Sequence, residues 1–266
     1  MTKWIIDYHC KKIPKLKSSI LIEGLPGIGN VGKVTVDFMI DELNAVKLLE
    51  IFSYSFPHSV FIGEENLAEL PSISLYYKKM PGKNNDLLFL AGDIQPVEDV
   101  ACYEFCDKIL DIVNKIGTEE IVTLGGIGLN EIPEKPKVYV TGNNKDVIKR
   151  YANGSKVITK LYGVVGPIIG VSGVLIGLSK RKNIDAVAML AETFGHPMYI
   201  GMKGAREILK ILIKKNSLKI NMKELNKEIN RIEKDVMKKN EDMYSVKKQT
   251  AMQKLKGVNE ENSYIG

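Results

Sequence analysis

Continuous apolar runs recur along most of this chain, each closed by a turn and set apart by stretches of helical character. Ser19-Ile20-Leu21-Ile22-Glu23 is the first. A glycine-rich turn follows, then a helix from about Asn30 to Leu43. Ala45 to Phe52 and the short Ser72 to Tyr77 read as two further strands lying side by side. Asp86 to Ala91, Glu120 to Leu124 (closed by Gly125-Gly126), Val138 to Thr141 and Ala186 to Leu190 add four more, with a helix from about Val97 to Lys115 between the first two of these. A run with no polar alternate face must be covered on both sides. Strands spaced by helices form βαβ units, so the expected fold is α/β with a mostly parallel sheet flanked by helices, over residues 1–215.

Three cysteines, Cys10, Cys102 and Cys106, are too few for a disulfide framework and suit a reducing, cytoplasmic setting. The apolar run at the N-terminus is too short for a secretory signal, and Asp7 interrupts it. Leu161 to Leu178 carries no charge, yet its five glycines and its Pro167 make it weakly apolar for a bilayer. It is expected to be a buried element of a soluble core, with no membrane contact.

After Lys215 the pattern changes. Leu218, Met222, Leu225, Ile229, Ile232 and Val236 follow at steps of four and three, an unbroken heptad seam with Ser217 placed to cap its start. The residues between are almost all Lys, Glu, Asn or Arg. Such a narrow apolar stripe suits helix-on-helix pairing between copies, so 216–257 is expected to be a helical oligomerisation segment and 258–266 a flexible tail. Residues 214–256 hold 13 basic and 6 acidic side chains, against a formal net charge of +6 for the whole chain. The lysines interleave with Glu224, Glu228 and Glu233, as on a solvated helix face. Nucleic acid is the less favoured reading of this charge.

Gly27, Gly29 and Gly32 with Lys33 combine two near-motifs, a dinucleotide fingerprint and the start of a phosphate loop. Each departs where the chemistry is demanding. Position 34 is valine where a phosphate loop needs a hydroxyl for magnesium. Gly24-Leu25-Pro26 separate the strand end from the first glycine of the fingerprint. The turn remains a possible anion-binding turn, and an enzyme of phosphorylase, hydrolase or ligase type is the alternative it supports. Gly170-Val171-Ser172-Gly173 lacks the spacing of a nucleophile elbow. His9, His58 and His196 have no visible acidic or nucleophilic partner, and Cys102 with Cys106 lacks two further metal ligands. No catalytic residue, metal or cofactor is expected.

Six blocks in order resemble the proteasome assembly chaperone type 2 family. They are Ile22-Glu23-Gly24-Leu25-Pro26-Gly27-Ile28-Gly29-Asn30-Val31-Gly32, Leu90-Ala91-Gly92-Asp93-Ile94-Gln95-Pro96, Val122-Thr123-Leu124-Gly125-Gly126-Ile127-Gly128, Pro136-Lys137-Val138-Tyr139-Val140-Thr141, Gly173-Val174-Leu175-Ile176-Gly177, and Ala191-Glu192-Thr193 with Pro197. The resemblance implies a phosphorylase- or hydrolase-like fold without an assigned reaction, and a chaperone that holds proteasome α-subunits during ring assembly. It also implies that the C-terminal helix oligomerises. Some relatives end in a hydrophobic-Tyr-any tripeptide that enters pockets between α-subunits. Here the end is Tyr264-Ile265-Gly266, with tyrosine third from the end and Ser263 before it. Those three residues are the expected partner-binding tail.

Overall fold

The computed structural model describes residues 3–63, 65–82, 85–163 and 166–231. It divides into two compact units, Met1–Asn221 and Met222–Gly266. The first unit is built on ten strands and five helices among the described residues. In chain order these are β1 (Trp4–Tyr8), β2 (Ser19–Gly24), α1 (Val31–Leu43), β3 (Val46–Ser53), β4 (Phe61–Ile62), β5 (Ala68–Glu69), β6 (Ile73–Lys78), β7 (Leu87–Gly92), α2 (Asp99–Ile116), β8 (Thr118–Leu129), β9 (Val138–Gly142), α3 (Lys145–Ala152), α4 (Val171–Ser179), β10 (Asp185–Phe194) and α5 (Met202–Asn216).

Eight strands form one sheet in the order β1-β3-β6-β7-β2-β8-β10-β9, and β4 pairs with β5 in a separate ribbon. The block β7-β2-β8-β10 is parallel. On one side of it β6, β3 and β1 add as antiparallel neighbours, and on the other side β9 does the same. The expectation of a mostly parallel sheet is corrected to a parallel centre with antiparallel wings. For β6 this follows from connection length. β6 reaches β7 through a short link, which permits only a hairpin, whereas β7 to β8 runs through α2 and returns parallel.

Helices α1 and α5 pack together, and α2 packs with α4. The largest apolar cluster joins Leu21, Leu88, Leu90 and Ile121 of the sheet to Phe105, Ile109 and Val113 of α2 and Val171 and Leu175 of α4. Alternation along β2 then sends Ile20 and Ile22 to the other face, which explains why the whole strand is buried. At the sheet edge β1 closes the α2 side. Trp4 meets Phe56 and Phe105 at ring-centroid distances of 5.9 and 5.4 Å.

The stretch 161–178 is not one buried element. Helix α4 begins only at Val171. Ahead of it Gly163 and Gly170 adopt positive φ, Pro167 lacks an N–H, and Tyr162 and Ile169 are exposed. The glycine at 173 enters the helix where Ile168's carbonyl leaves no room for a Cβ.

The C-terminal seam starts later than its spacing implied. Ser217 does not cap a new helix. It ends α5 in the left-handed region (φ 50°), its N–H donating to the Ile213 carbonyl. Leu218 is buried in the first unit just beyond that cap, and 218–222 is not helical. In the second unit 223–231 is helical, with Leu225 and Ile229 its buried residues and Met222 immediately before it. Ile232, Val236 and the tail Tyr264, Ile265 and Gly266 lie outside the described residues.

Candidate functional site

The carboxyl ends of the parallel strands meet at one place. The turn after β2 leads to α1, and the segment after β7 leads to α2, which lies on the opposite face of the sheet. Between these diverging segments is a cavity of about 510 Å³ lined by the turn residues Leu25 to Ile28, by Gln95, Pro96 and Val97, by Leu124 to Gly128 at the end of β8, and by residues 166–170 with Ser172 before and within α4. The lining is chiefly aliphatic side chain and glycine backbone. Ile28, Val97 and Ile169 are 53%, 73% and 84% exposed at this end of the molecule.

Glycine brings these backbones together. A Cβ at Gly24 would overlap the Gly32 carbonyl, and one at Gly32 would lie 2.5 Å from the Leu124 carbonyl. Helix α1 therefore starts in direct backbone contact with β2 and β8. Gly29 holds φ 60°, with Thr193 of β10 against it. Two of the three fingerprint glycines thus serve the close approach of turn, helix and sheet, while Gly27 faces open space. Lys33 donates to the Gly92 carbonyl at 3.1 Å and lies 3.1 Å from Asp37 and 3.7 Å from Asp93. It borders a wider polar cleft of about 860 Å³ with Asp41, Glu50 and Tyr76. Burial raises the Asp37 carboxyl above its ordinary value, and the Lys33 charge works against that rise.

Two polar side chains organise the cavity, and neither was singled out by spacing. Gln95 bridges it: its amide nitrogen donates to the Pro26 carbonyl at 2.7 Å, and its oxygen accepts from Val171 N–H at 3.1 Å. The turn after β2 is thereby fastened to the first residue of α4. Glu23 lies under the turn with 0% of its surface exposed. One carboxyl oxygen accepts from Leu25 N–H at 3.0 Å, and the other accepts from the Ser172 hydroxyl at 2.8 Å. Burial pushes this carboxyl up to about 7, against the opposing pull of those two hydrogen bonds and of the Leu124 backbone. A glutamate at the end of an unbroken apolar run was the available signal. Its serine lies 149 positions away in the sequence.

Cys102 and Cys106 share one buried face of α2, near Glu23. Both thiols are free; that of Cys106 donates to the Val171 carbonyl at 3.8 Å, and the neighbouring Cys102 thiol together with burial pushes it up. Among the described residues no group of three His, Cys, Asp or Glu is placed to hold a metal ion. No helix there is long and apolar enough to cross a membrane.

Residues 21–239 match the PAC2 family. The chain belongs to the PAC2 family. Pyrococcus furiosus PbaB, described as an archaeal proteasome activator, shares the fold with a TM-score of 0.83 and 32% identity, over 90% of this chain and 100% of that one. Pyrococcus furiosus PbaA, described as an archaeal homolog of proteasome-assembly chaperone, matches with a TM-score of 0.72 over 93% of this chain and 97% of that one. At 24% identity the PbaA likeness is one of fold alone. An uncharacterized protein of Methanocaldococcus jannaschii is 29% identical over 223 residues, 84% of this chain and 83% of its own length. The PAC2 match spans the glycine turn, the cavity and the helix 223–231 together.

Proposed function

We propose that this PAC2 chain is a binding protein rather than an enzyme: it oligomerises and holds proteasome α-subunits, or another protein partner, in the cytoplasm. The observation that carries the reading is its likeness to PbaB along the whole of that chain. The surface supports a protein partner. The β4–β5 ribbon leaves Phe61, Ile62, Leu67 and Leu70 exposed, with Tyr54 and Val60 nearby. An apolar patch of this kind on a folded chain marks a protein contact. Tyr264-Ile265-Gly266 is the proposed tail contact, and Met222, Leu225, Ile229, Ile232 and Val236 the proposed pairing seam, with Leu218 beside it.

PbaB is described as an activator and PbaA as a chaperone homolog, so the contact can serve the finished particle or its assembly. Immobilised full chain, and a chain lacking 258–266, are each offered purified proteasome α-subunits. The reading expects retention by the full chain and weaker retention by the truncated one. Absence of retention by both would remove the α-subunit from the account. The alternative is an enzyme that holds a nucleotide or phosphate at Gly27, Gly29, Gly32 and Lys33. It predicts a rise of several degrees in melting temperature with ATP, NAD or a nucleoside. The binding-protein reading expects none.

A further inference from the structure

We propose that the cavity behind the Leu25–Gly32 turn is a binding site for an uncharged, mostly apolar small molecule whose polar head is a carbonyl group. The site is separate from the partner contact proposed above and does not rest on it. Its position is the first argument. In an open α/β sheet, ligands enter beyond the carboxyl ends of parallel strands, where successive loops diverge to opposite faces. The segments after β2 and β7 do this, to α1 and α2. Its size is the second. About 510 Å³ is within the usual range for small-molecule sites, and the apolar walls suit a hydrocarbon body.

The head group follows from the polar atoms that remain. Gln95 is committed at both ends, to Pro26 and Val171. Ser172 lines the cavity as the second residue of α4. The leading N–H groups of a helix have no acceptor within it, and that end carries partial positive charge. The first of these in α4, Val171 N–H, is taken by Gln95, and the positive end of the helix disfavours a cation. Among the described residues no Lys, Arg or His lines the cavity to pair an anion, and the carboxyl of Glu23 beneath, 2.8 Å from the Ser172 hydroxyl, opposes one whenever it is ionised. A neutral acceptor satisfies both constraints.

The protonation of Glu23 sets what Ser172 offers. When Glu23 is protonated, its carboxyl proton can go to the Ser172 oxygen, and the serine hydroxyl is free to donate to a ligand carbonyl. When Glu23 is ionised, the serine hydroxyl turns to the carboxylate, and negative charge lies under the ligand oxygen. Burial keeps Glu23 protonated up to about 7. The titratable groups facing Glu23 are Cys102 and Cys106 of α2. Beside it β8 contributes Thr123, α4 contributes Ser172 and the turn contributes the Leu25 amide. None of these carries a positive charge.

The test uses the full chain with methyl-labelled isoleucine and leucine, titrated with acetophenone at about pH 6 and about pH 8. Saturable shifts of the Ile127, Ile168 and Leu190 methyls, all on the cavity wall, are expected at the lower pH. If only the protonated form binds, a midpoint near 7 makes the apparent Kd rise about tenfold at the higher pH. Glu23→Gln keeps a donor against Ser172 at both pH values, so its affinity should stay at the low-pH level throughout. Absence of shifts in the wild type at both pH values would overturn the proposal, and so would equal wild-type affinity at the two. Unchanged affinity in Ser172→Ala would mean adventitious binding of the aryl group only, and would overturn it as well.

Discussion

Glu23 is the residue at which burial and charge conflict most sharply. Its folded carboxyl titrates at about 7, while the unfolded carboxyl titrates near its ordinary value of 4.5. Between those values the folded chain binds the extra proton, so stability falls as pH rises through this window and levels off above it. The difference corresponds to roughly 3 kcal/mol at neutral pH and above. Glu23→Gln should therefore remove most of the stability slope between pH 4.5 and 7 in urea titrations, and should raise stability at higher pH by about 1–3 kcal/mol. A slope that survives the substitution would assign the pH dependence to other groups. The glycines make an opposite kind of prediction. A methyl at Gly32 meets the Leu124 carbonyl, which is backbone and cannot turn aside. Gly32→Ala should cost about 1–3 kcal/mol or more by thermal denaturation.

At the scale of elements, residues that announce their own environment were legible in the sequence. β2, β7 and the centre of β8 are apolar on both faces, and α1 and α2 start and end close to where their periodicity put them. The antiparallel pairing of β9 with β10 was not legible, because α3 and α4 lie between them and a long link leaves either direction open. β8 and β10 also run on past the expected ends, through Gly126 and Glu192, since each borrows its hydrogen bonds from the other. Ser217 was misread because a hydroxyl residue suits the start of a helix, whereas its positive φ at the end of α5 is invisible in sequence. The pair Glu23–Ser172 needed the sheet and α4 to be assembled before it existed. Element β1 yields its own test. Trp4 holds the edge strand to Phe56 and Phe105, so Trp4→Ala should cost about 2–4 kcal/mol and should loosen β1 first in hydrogen exchange. The helix 223–231 yields another. Replacing Ile229 and Ile232 by aspartate should lower the native mass in solution if this helix pairs copies, and an unchanged mass would take the pairing away from it.

Taken whole, the molecule combines a sheet closed on both faces with apolar surface left open at the β4–β5 ribbon and the cavity rim, and with a basic C-terminal segment. A chain that only had to fold would gain by covering those side chains. On the proposed reading, partner capture accounts for the ribbon, and the likeness to PbaB points to the proteasome as the place to look. Sedimentation velocity of the full chain mixed with proteasome α-subunits at micromolar concentration addresses this most directly. The account predicts a boundary faster than either component alone, containing both. Two boundaries that sediment independently, each at the rate of its separate component, would contradict it.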